Sequence, residues 1–203
     1  MPLLAIDTAT AELVVGVGER DGTVLSESVQ ATRAHNELLV PTVEAVLAQA
    51  GIAYADLDAV VVGCGPGPFT GLRVGMASAS AFAQALGIDA YGVVTHDATG
   101  LTLDAPSCLV VTDARRREVY WAHYVGGERV AGPDVCAPAA VPVSEADVLS
   151  CPEHLRDGLK VDAREVTYCG PRTAGLIAAV DFTTVPGPLV PLYLRRPDAV
   201  PPQ

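Results

Sequence analysis

The sequence lacks the features that mark membrane, secreted and disulfide-linked proteins. No apolar run among its 203 residues approaches the length of a membrane span. The five cysteines form no Cys-x-x-Cys pair, so we expect reduced thiols rather than a disulfide framework or a zinc site. No basic segment precedes Asp7 at the start of the chain, which argues against a signal peptide. These absences predict a cytoplasmic protein with no membrane partner.

Basic residues are also scarce. The chain has 13 Lys and Arg against 24 Asp and Glu, which gives a formal net charge of -11 at pH 7. A protein that binds a nucleic-acid backbone over a large surface needs clustered cations, so we expect any nucleic acid to be held mostly by a partner. Half of the residues are hydrophobic. This composition excludes disorder over most of the length and predicts a full core.

The common nucleotide-binding motifs are missing from the most distinctive stretch of the chain. This glycine-rich segment, residues 63–75, follows a strand predicted over residues 59–62 and leads into a helix of small residues that stops at Gly87. It lacks the Lys-Ser/Thr end of a P-loop and fits no Gly-x-Gly-x-x-Gly register. A helix that begins at such a loop can bind an anion, but the same residues also suit a tight connection. The pattern alone leaves both interpretations open.

The sequence does contain a repeated order of strands and turns. Strands are predicted over residues 3–6, 13–17 and 23–29, and again over residues 108–112 and 118–124. Asp7 and Asp113 end the first strand of each set. They precede the hairpin signals Asp21-Gly22 and Gly126-Gly127 by 14 and 13 residues. This internal repeat predicts a duplicated α/β unit and a two-lobe actin/hexokinase-like (ribonuclease-H-like) fold.

The boundary between the lobes is predicted at Ala105-Pro106, so that residues 1–104 form the first lobe and residues 105–203 a smaller second lobe with a proline-rich tail. A helix in the first lobe is expected to end at Gly51, and a short one to cover residues 96–103. Signals weaken from residue 131 to 164, where surface loops and short helices are predicted. A strand over residues 166–169, a helix from Gly170 to about residue 180 and a loose end at residues 201–203 complete the prediction.

Taken together, these motifs resemble the TsaB (YeaZ) family of bacterial tRNA threonylcarbamoyladenosine synthesis over nearly the whole chain. The residues that carry the resemblance are Ala5-Ile6-Asp7-Thr8, His35-Asn36-Glu37-Leu38-Leu39-Val40-Pro41, Gly65-Pro66-Gly67-Pro68-Phe69-Thr70-Gly71-Leu72-Arg73-Val74-Gly75, Asp113-Ala114-Arg115, Glu118-Val119-Tyr120-Trp121 and Pro191-Leu192-Tyr193-Leu194-Arg195. The glycine-rich part of this set is the most specific. The match is loose between residues 130 and 190.

The resemblance implies a non-catalytic subunit with a two-lobe fold. Its family pairs with the catalytic paralogue TsaD through two first-lobe helices that form a four-helix bundle, and the small ATPase TsaE joins the complex. This chain then contacts the tRNA only indirectly, through the complex. The same helices would also allow the isolated chain to form a homodimer. Small residues let a second helix approach closely. The residues expected to bind the partner are Leu39, Val43, Val46, Leu72, Val74, Gly75, Ser78 and Phe82.

Catalytic and cofactor groups are not expected. The paralogue holds its metal through His-x-x-x-His, whereas this chain has His96 followed four residues later by Gly100, and a lone imidazole makes no metal site. Asp7 and Thr8 are the candidates for a phosphate-binding turn. The rival hypotheses are an actin-like enzyme (an ATP-dependent kinase or a metallopeptidase of the glycoprotease type) and a direct tRNA-binding module. The arginines after Asp113 are candidates for an anion or partner contact; they are Arg115, Arg116 and Arg117.

Overall fold

A five-stranded mixed sheet forms the first lobe in the structure, a computed structural model that describes residues 1–103 and 105–195. The predicted loose end at residues 201–203 lies outside the described residues. The strands are β1 (Pro2–Asp7), β2 (Glu12–Glu19), β3 (Val24–Ala31), β4 (Ala59–Gly63) and β5 (Asp89–Val93), in the order β3-β2-β1-β4-β5. β1 lies between antiparallel β2 and parallel β4 and is buried on both faces, which explains why its residues are almost all apolar.

Two long helices cover one face of this sheet. They are α1 (His35–Ala50) and α2 (Phe69–Leu86). Both end where the sequence predicts, because Gly51 and Gly87 adopt the left-handed conformation that stops a helix, with φ of 68° and 69°. Their inner side chains pack on alternate strand residues such as Leu4 and Val60. This layer is the larger core of the first lobe.

The second lobe repeats the strand order and directions of the first. Its strands are β6 (Ser107–Arg115), β7 (Glu118–Val125), β8 (Glu128–Cys136), β9 (Glu145–Ser150) and β10 (Asp162–Thr167), in the order β10-β9-β6-β7-β8. β6 pairs antiparallel with β7 and parallel with β9, as β1 does with β2 and β4. The predicted duplicated α/β fold is confirmed.

The prediction of loops and short helices over residues 131–164 is wrong, because three strands enter this region. The crossover connections are only short 3₁₀ segments, Pro138–Ala140 and Glu153–Gly158, in place of long helices. β8 and β10 are edge strands with many exposed residues, so they lack the apolar alternation that identifies a strand in sequence. An edge position also tolerates Gly132-Pro133 within β8. The strand predicted over residues 166–169 begins earlier, at Asp162.

Two short helices connect the lobes. α3 (Thr95–Gly100) follows the first sheet but packs on the second, and α4 (Thr173–Ala178) follows the second sheet but packs on the first. Both are shorter than predicted. Leu176 and Ile177 of α4 are buried against β1, β2 and β4. The predicted second lobe therefore contains a helix that completes the core of the first.

The C-terminal segment, residues 184–195, returns to the first lobe. It has no regular secondary structure after residue 184 and crosses the glycine-rich segment, where the Leu192 N–H donates a 2.8 Å hydrogen bond to the Cys64 carbonyl. Leu189 packs against the core beneath α1 and α2. Within the described residues, no helix combines the length and the apolarity that a bilayer span requires.

Candidate functional site

The carboxyl group of Asp7 lies at the end of β1 and joins three parts of the first lobe. Its Oδ2 accepts a 2.7 Å hydrogen bond from Thr95 Oγ1, and its Oδ1 accepts one of 2.8 Å from the Ala9 N–H. Thr95 Oγ1 in turn accepts a hydrogen bond from the Gly65 N–H at 3.2 Å. Asp7 therefore fixes β1, the glycine-rich segment and the start of α3 relative to one another.

Thr8 holds the first turns of α2 in the same way. Its hydroxyl donates to the Gly71 carbonyl at 2.7 Å and accepts from the Gly75 N–H at 3.1 Å. The glycines allow this close approach, because a Cβ at Gly71 would overlap the Thr8 carbonyl oxygen and one at Gly67 would overlap the Ala9 carbonyl oxygen. The glycine-rich segment thus packs directly on the turn after β1.

The predicted phosphate-binding role of Asp7 and Thr8 does not fit this arrangement. Both residues are buried, with exposures of 0% and 1%, and their oxygens are engaged by the chain itself. A phosphate would have to displace the glycine-rich segment to reach them. Burial, aided by the nearby Glu12 carboxylate, raises the pKa of Asp7 to about 6, although the hydrogen bonds from Thr95 and Ala9 act in the opposite sense. This turn has a structural role, because it holds the glycine-rich segment and the start of α3 against the end of β1.

The residues at the metal position of the catalytic paralogue do not fit a metal either. His96 is fully buried, burial lowers its pKa to about 3, and its Nε2 lies 2.9 Å from Thr112 Oγ1. A Cβ at Gly100 would come within 2.9 Å of the Tyr124 ring. Tyr124 donates a 2.8 Å hydrogen bond to Asp97, which fixes the ring in this position. The ring therefore occupies the space that a second histidine ligand would need. In the part of the chain that the structure describes, no three His, Cys, Asp or Glu residues are grouped as metal ligands.

The predicted partner-binding residues divide into two groups. Four of them are no more than 1% exposed and pack in the core of this chain; they are Leu39, Val43, Val46 and Leu72. Their predicted contact with a partner is therefore corrected to a contact within the chain. Gly75 is also buried and faces Thr8. The remaining residues are half-buried at the outer edge of α2; they are Val74, Ser78 and Phe82. Sequence periodicity located the apolar face of each helix but could not say that the sheet already covers it.

The arginines predicted as an anion contact lie in the β6–β7 hairpin. All three are exposed and adopt positive φ, at 63° for Arg115, 52° for Arg116 and 65° for Arg117. The Arg115 N–H donates a 2.6 Å hydrogen bond to the Asp113 carboxylate. Asp7 and Thr8 instead contact the glycine-rich segment and Thr95, so the hydrogen bonds described above do not join the two predicted sites.

Three residues were missed in the sequence, and two of them lie near this hairpin. Arg195 donates a 2.9 Å hydrogen bond to the Ala114 carbonyl, and Tyr193 stacks on Phe69 with ring centroids 5.1 Å apart. Thr95 holds Asp7 across 88 residues of sequence. The Leu-Tyr-Leu-Arg motif near residue 195 was the available signal for the first two. Nothing local in the sequence marks Thr95.

Comparison with known proteins identifies the family. A family model described as TsaD, tRNA N6-adenosine threonylcarbamoyltransferase, matches residues 24–185. The Escherichia coli K12 tRNA threonylcarbamoyladenosine biosynthesis protein TsaB is 36% identical over 128 residues, which cover 61% of this chain and 55% of that protein. YeaZ from Pseudomonas aeruginosa is similar in structure, with a TM-score of 0.76 and 26% identity over 88% of this chain and 89% of that one. This chain belongs to the TsaB/YeaZ family.

Two further relatives extend the TsaB/YeaZ match over almost the full length. An uncharacterised protein of Mycobacterium tuberculosis strain H37Rv is 54% identical over 202 residues, covering 98% of this chain and 94% of that protein. A crystal structure of a Pseudomonas aeruginosa protein, described by its similarity to peptidase YeaZ, has a TM-score of 0.78 at 25% identity over 96% of this chain. The two-lobe actin-like fold is therefore that of the YeaZ structures.

Proposed function

We propose that this chain is a non-catalytic cytoplasmic subunit of tRNA N6-threonylcarbamoyladenosine synthesis, which binds the catalytic paralogue TsaD and, together with TsaE, supports its reaction. Membership of the TsaB/YeaZ family points to a tRNA modification subunit, because curated members of that family are named for this biosynthesis. The more specific role, binding TsaD, is argued from the surface of the molecule.

The observation that carries this proposal is the outer face of α2. After Arg73, the exposed residues of α2 are almost all small; they are Ala77, Ser80, Ala81 and Ala85, with Gln84 between the last two. On the adjacent outer face of α1, Ala45 and Ala48 are also exposed. Small side chains let a partner helix approach the backbone closely, and ridges then pack into shallow grooves over a large area. Both helices are held rigidly by the sheet, which suits a preformed docking surface.

The interior of the molecule supports a non-catalytic role. The turn at Asp7 and Thr8 is filled by the glycine-rich segment, and the Tyr124 ring fills the space beside Gly100. Binding of a nucleotide and a metal ion at the positions that correspond to those of the paralogue would need both of these spaces to be open. The actin-like enzyme hypothesis therefore predicts metal or ATP binding by the isolated chain, and the present proposal predicts neither.

The proposal is tested by analytical ultracentrifugation of the chain mixed with TsaD from the same organism. The parent chain is expected to form a heterodimer. Ala81→Arg places a long charged side chain on the outer face of α2 without touching the core, so we expect at least a tenfold weaker complex. Ala139→Arg is the matched control, because Ala139 is also exposed but lies in the second lobe. Gly75 is unsuitable for this test because any side chain there would meet Thr8.

The two variants distinguish the outcomes. Loss of the complex in Ala81→Arg, with an unchanged melting temperature and with the control still bound, supports the α2 face as the contact. Failure of the parent to bind TsaD contradicts the supporting role. In that case, stoichiometric metal or tight ATP binding by the isolated chain favours the enzyme hypothesis.

A further inference from the structure

A basic surface forms where the β6–β7 hairpin meets the C-terminal segment, although the chain as a whole is acidic. We define this arginine surface as Arg73, Arg115, Arg116, Arg117 and Arg195. It contains five of the 13 Lys and Arg residues of the chain. The hairpin contributes three of them, and the other two flank the contact between the C-terminal segment and α2. Such a concentration is unexpected in a chain that carries a net charge of -11.

The hairpin holds its arginines at a conformational cost. β6 and β7 pair as far as Arg115 and Glu118, so Arg116 and Arg117 form a two-residue turn with positive φ at both positions. Such turns favour Asn and Gly, because a side chain with a Cβ is strained at positive φ. The three side chains are exposed, so packing in this chain does not require arginine here. Strain of this kind often accompanies a functional role.

The nearest acidic groups on this surface are already engaged. Glu118 lies 3.4 Å from Arg195, and the Asp113 carboxylate accepts the Arg115 N–H and lies 3.7 Å from His154. Among the described residues, the side chains of Arg115 and Arg117 form no ion pair. Their guanidinium groups therefore remain able to bind an external anion.

An aromatic stack lies beside these arginines. The Arg73 guanidinium lies 3.8 Å from the centre of the Phe69 ring, and its Nε donates a 3.0 Å hydrogen bond to the Tyr193 hydroxyl. Phe69 and Tyr193 stack on each other and are 45% and 39% exposed. Arg195, only two residues after Tyr193, binds the Ala114 carbonyl and so connects the stack to the hairpin.

Guanidinium groups beside exposed aromatic rings match the chemistry of RNA. Arginine binds phosphate through paired N–H groups, while aromatic and guanidinium planes stack on unpaired bases. An acidic protein surface would satisfy the arginines but would leave the rings unused. We propose that the arginine surface contacts the phosphate backbone of the tRNA substrate, with an unpaired base against Tyr193, while the assembled complex holds the rest of the RNA. This inference rests on the proposed function.

The net charge limits the contact to this surface, because acidic residues elsewhere repel a phosphate backbone. The isolated chain should therefore bind RNA weakly, and the contribution of the arginine surface should be measurable in the complex. This agrees with the expectation that a partner holds most of the nucleic acid, and adds a direct contact from this chain.

The test measures binding of an unmodified tRNA transcript to the complex of this chain with TsaD by fluorescence anisotropy over a range of salt concentrations. The variant Arg115→Gln/Arg117→Gln keeps a side chain at each positive-φ position and removes two charges. We expect its Kd to rise about tenfold at low salt, and the slope of log Kd against log salt to fall by about 1.4 to 1.8, because each lost phosphate contact removes about 0.7 to 0.9. Arg164→Gln is the control, since Arg164 is 86% exposed and lies on β10.

A second variant separates stacking from charge. Tyr193→Leu keeps apolar bulk against Phe69 but removes the aromatic ring, so we expect weaker tRNA binding with an unchanged salt slope. If the double arginine variant and the parent complex bind tRNA equally at every salt concentration, the inference is wrong. Loss of TsaD or TsaE binding by that variant, with tRNA affinity unchanged, would also overturn it and assign the surface to an acidic protein partner. Failure of the parent to bind TsaD would instead contradict the proposed function.

Discussion

Ionisation of Asp7 is the clearest case in which one buried group controls stability. Its carboxyl group lies in the core with a pKa near 6, against 3.8 for an unperturbed aspartate. Between these values the folded state retains a proton that the unfolded state has lost. Protonated Asp7 therefore stabilises the fold fully below about pH 4, and this contribution is lost as the pH rises through 6.

Asp7→Asn should remove this pH dependence because the amide stays neutral and can still pair with Thr95. We expect the variant to gain on the order of 3 kcal/mol relative to the parent as the pH rises from 4 to 7, the free energy that corresponds to the pKa difference. Urea denaturation of both proteins at several pH values measures it. Asp89→Asn, at an exposed position, should follow the parent profile. A constant difference between parent and Asp7→Asn would contradict the prediction.

His96 changes the stability with pH in the opposite direction to Asp7. Its contribution is the same in the parent and in Asp7→Asn, so it cancels when the two proteins are compared. Burial lowers its pKa to about 3, so the unfolded state takes up a proton first as the pH falls below 6.5. His96 therefore stabilises the fold above pH 6.5 and loses this contribution on acidification. The parent profile contains both effects in one pH window. The difference in free energy of unfolding between the parent and Asp7→Asn therefore gives the contribution of the Asp7 carboxyl group.

At the scale of elements, the C-terminal segment acts as part of the first-lobe core. Leu189 packs against the residues beneath α1 and α2, whereas the adjacent Val190 is 67% exposed. Leu189→Asp buries a charge without a partner, and we expect it to lower the free energy of unfolding by about 1 to 3 kcal/mol and to release the segment to proteolysis. Val190→Asp is the neighbouring control and should change stability by less than about 0.5 kcal/mol. Equal protease sensitivity of both variants would show that the segment is not anchored through Leu189.

Elements with a strong local signal could be predicted from sequence, and those without one could not. Gly51 and Gly87 end α1 and α2 because a left-handed residue is needed there, and this requirement is visible in sequence. β8 and β10 escaped prediction because edge strands expose both polar and apolar residues. The joint at Asp7 depends on Thr95, which is remote in sequence. The partner-binding prediction likewise failed for buried residues, because periodicity identifies an apolar face but not what covers it.

At the scale of the whole molecule, α3 and α4 join the two lobes, because each helix follows the sheet of one lobe and packs on the sheet of the other. α4 lies against α3, and a Cβ at Gly175 would overlap the Ala98 carbonyl oxygen. Gly175→Ala should therefore destabilise the protein by about 1 to 3 kcal/mol, although alanine in place of glycine ordinarily stabilises a helix by about 1 kcal/mol. Gly187→Ala, where no atom lies within 4 Å of the added Cβ, is the control and should be neutral or slightly stabilising. Differential scanning calorimetry measures both, and a stabilised Gly175→Ala variant would exclude a tight helix contact.

The packing of α4 on the first sheet has a consequence for synthesis of the protein on the ribosome. The first sheet is complete once β5 has been made, but one of its faces stays uncovered until Leu176 and Ile177 emerge about eighty residues later. During that interval the nascent chain exposes the apolar face formed by Leu3, Ala5 and Val61, which is a surface that chaperones bind and that favours aggregation. The first lobe is therefore expected to reach its native packing only after most of the second lobe has been translated.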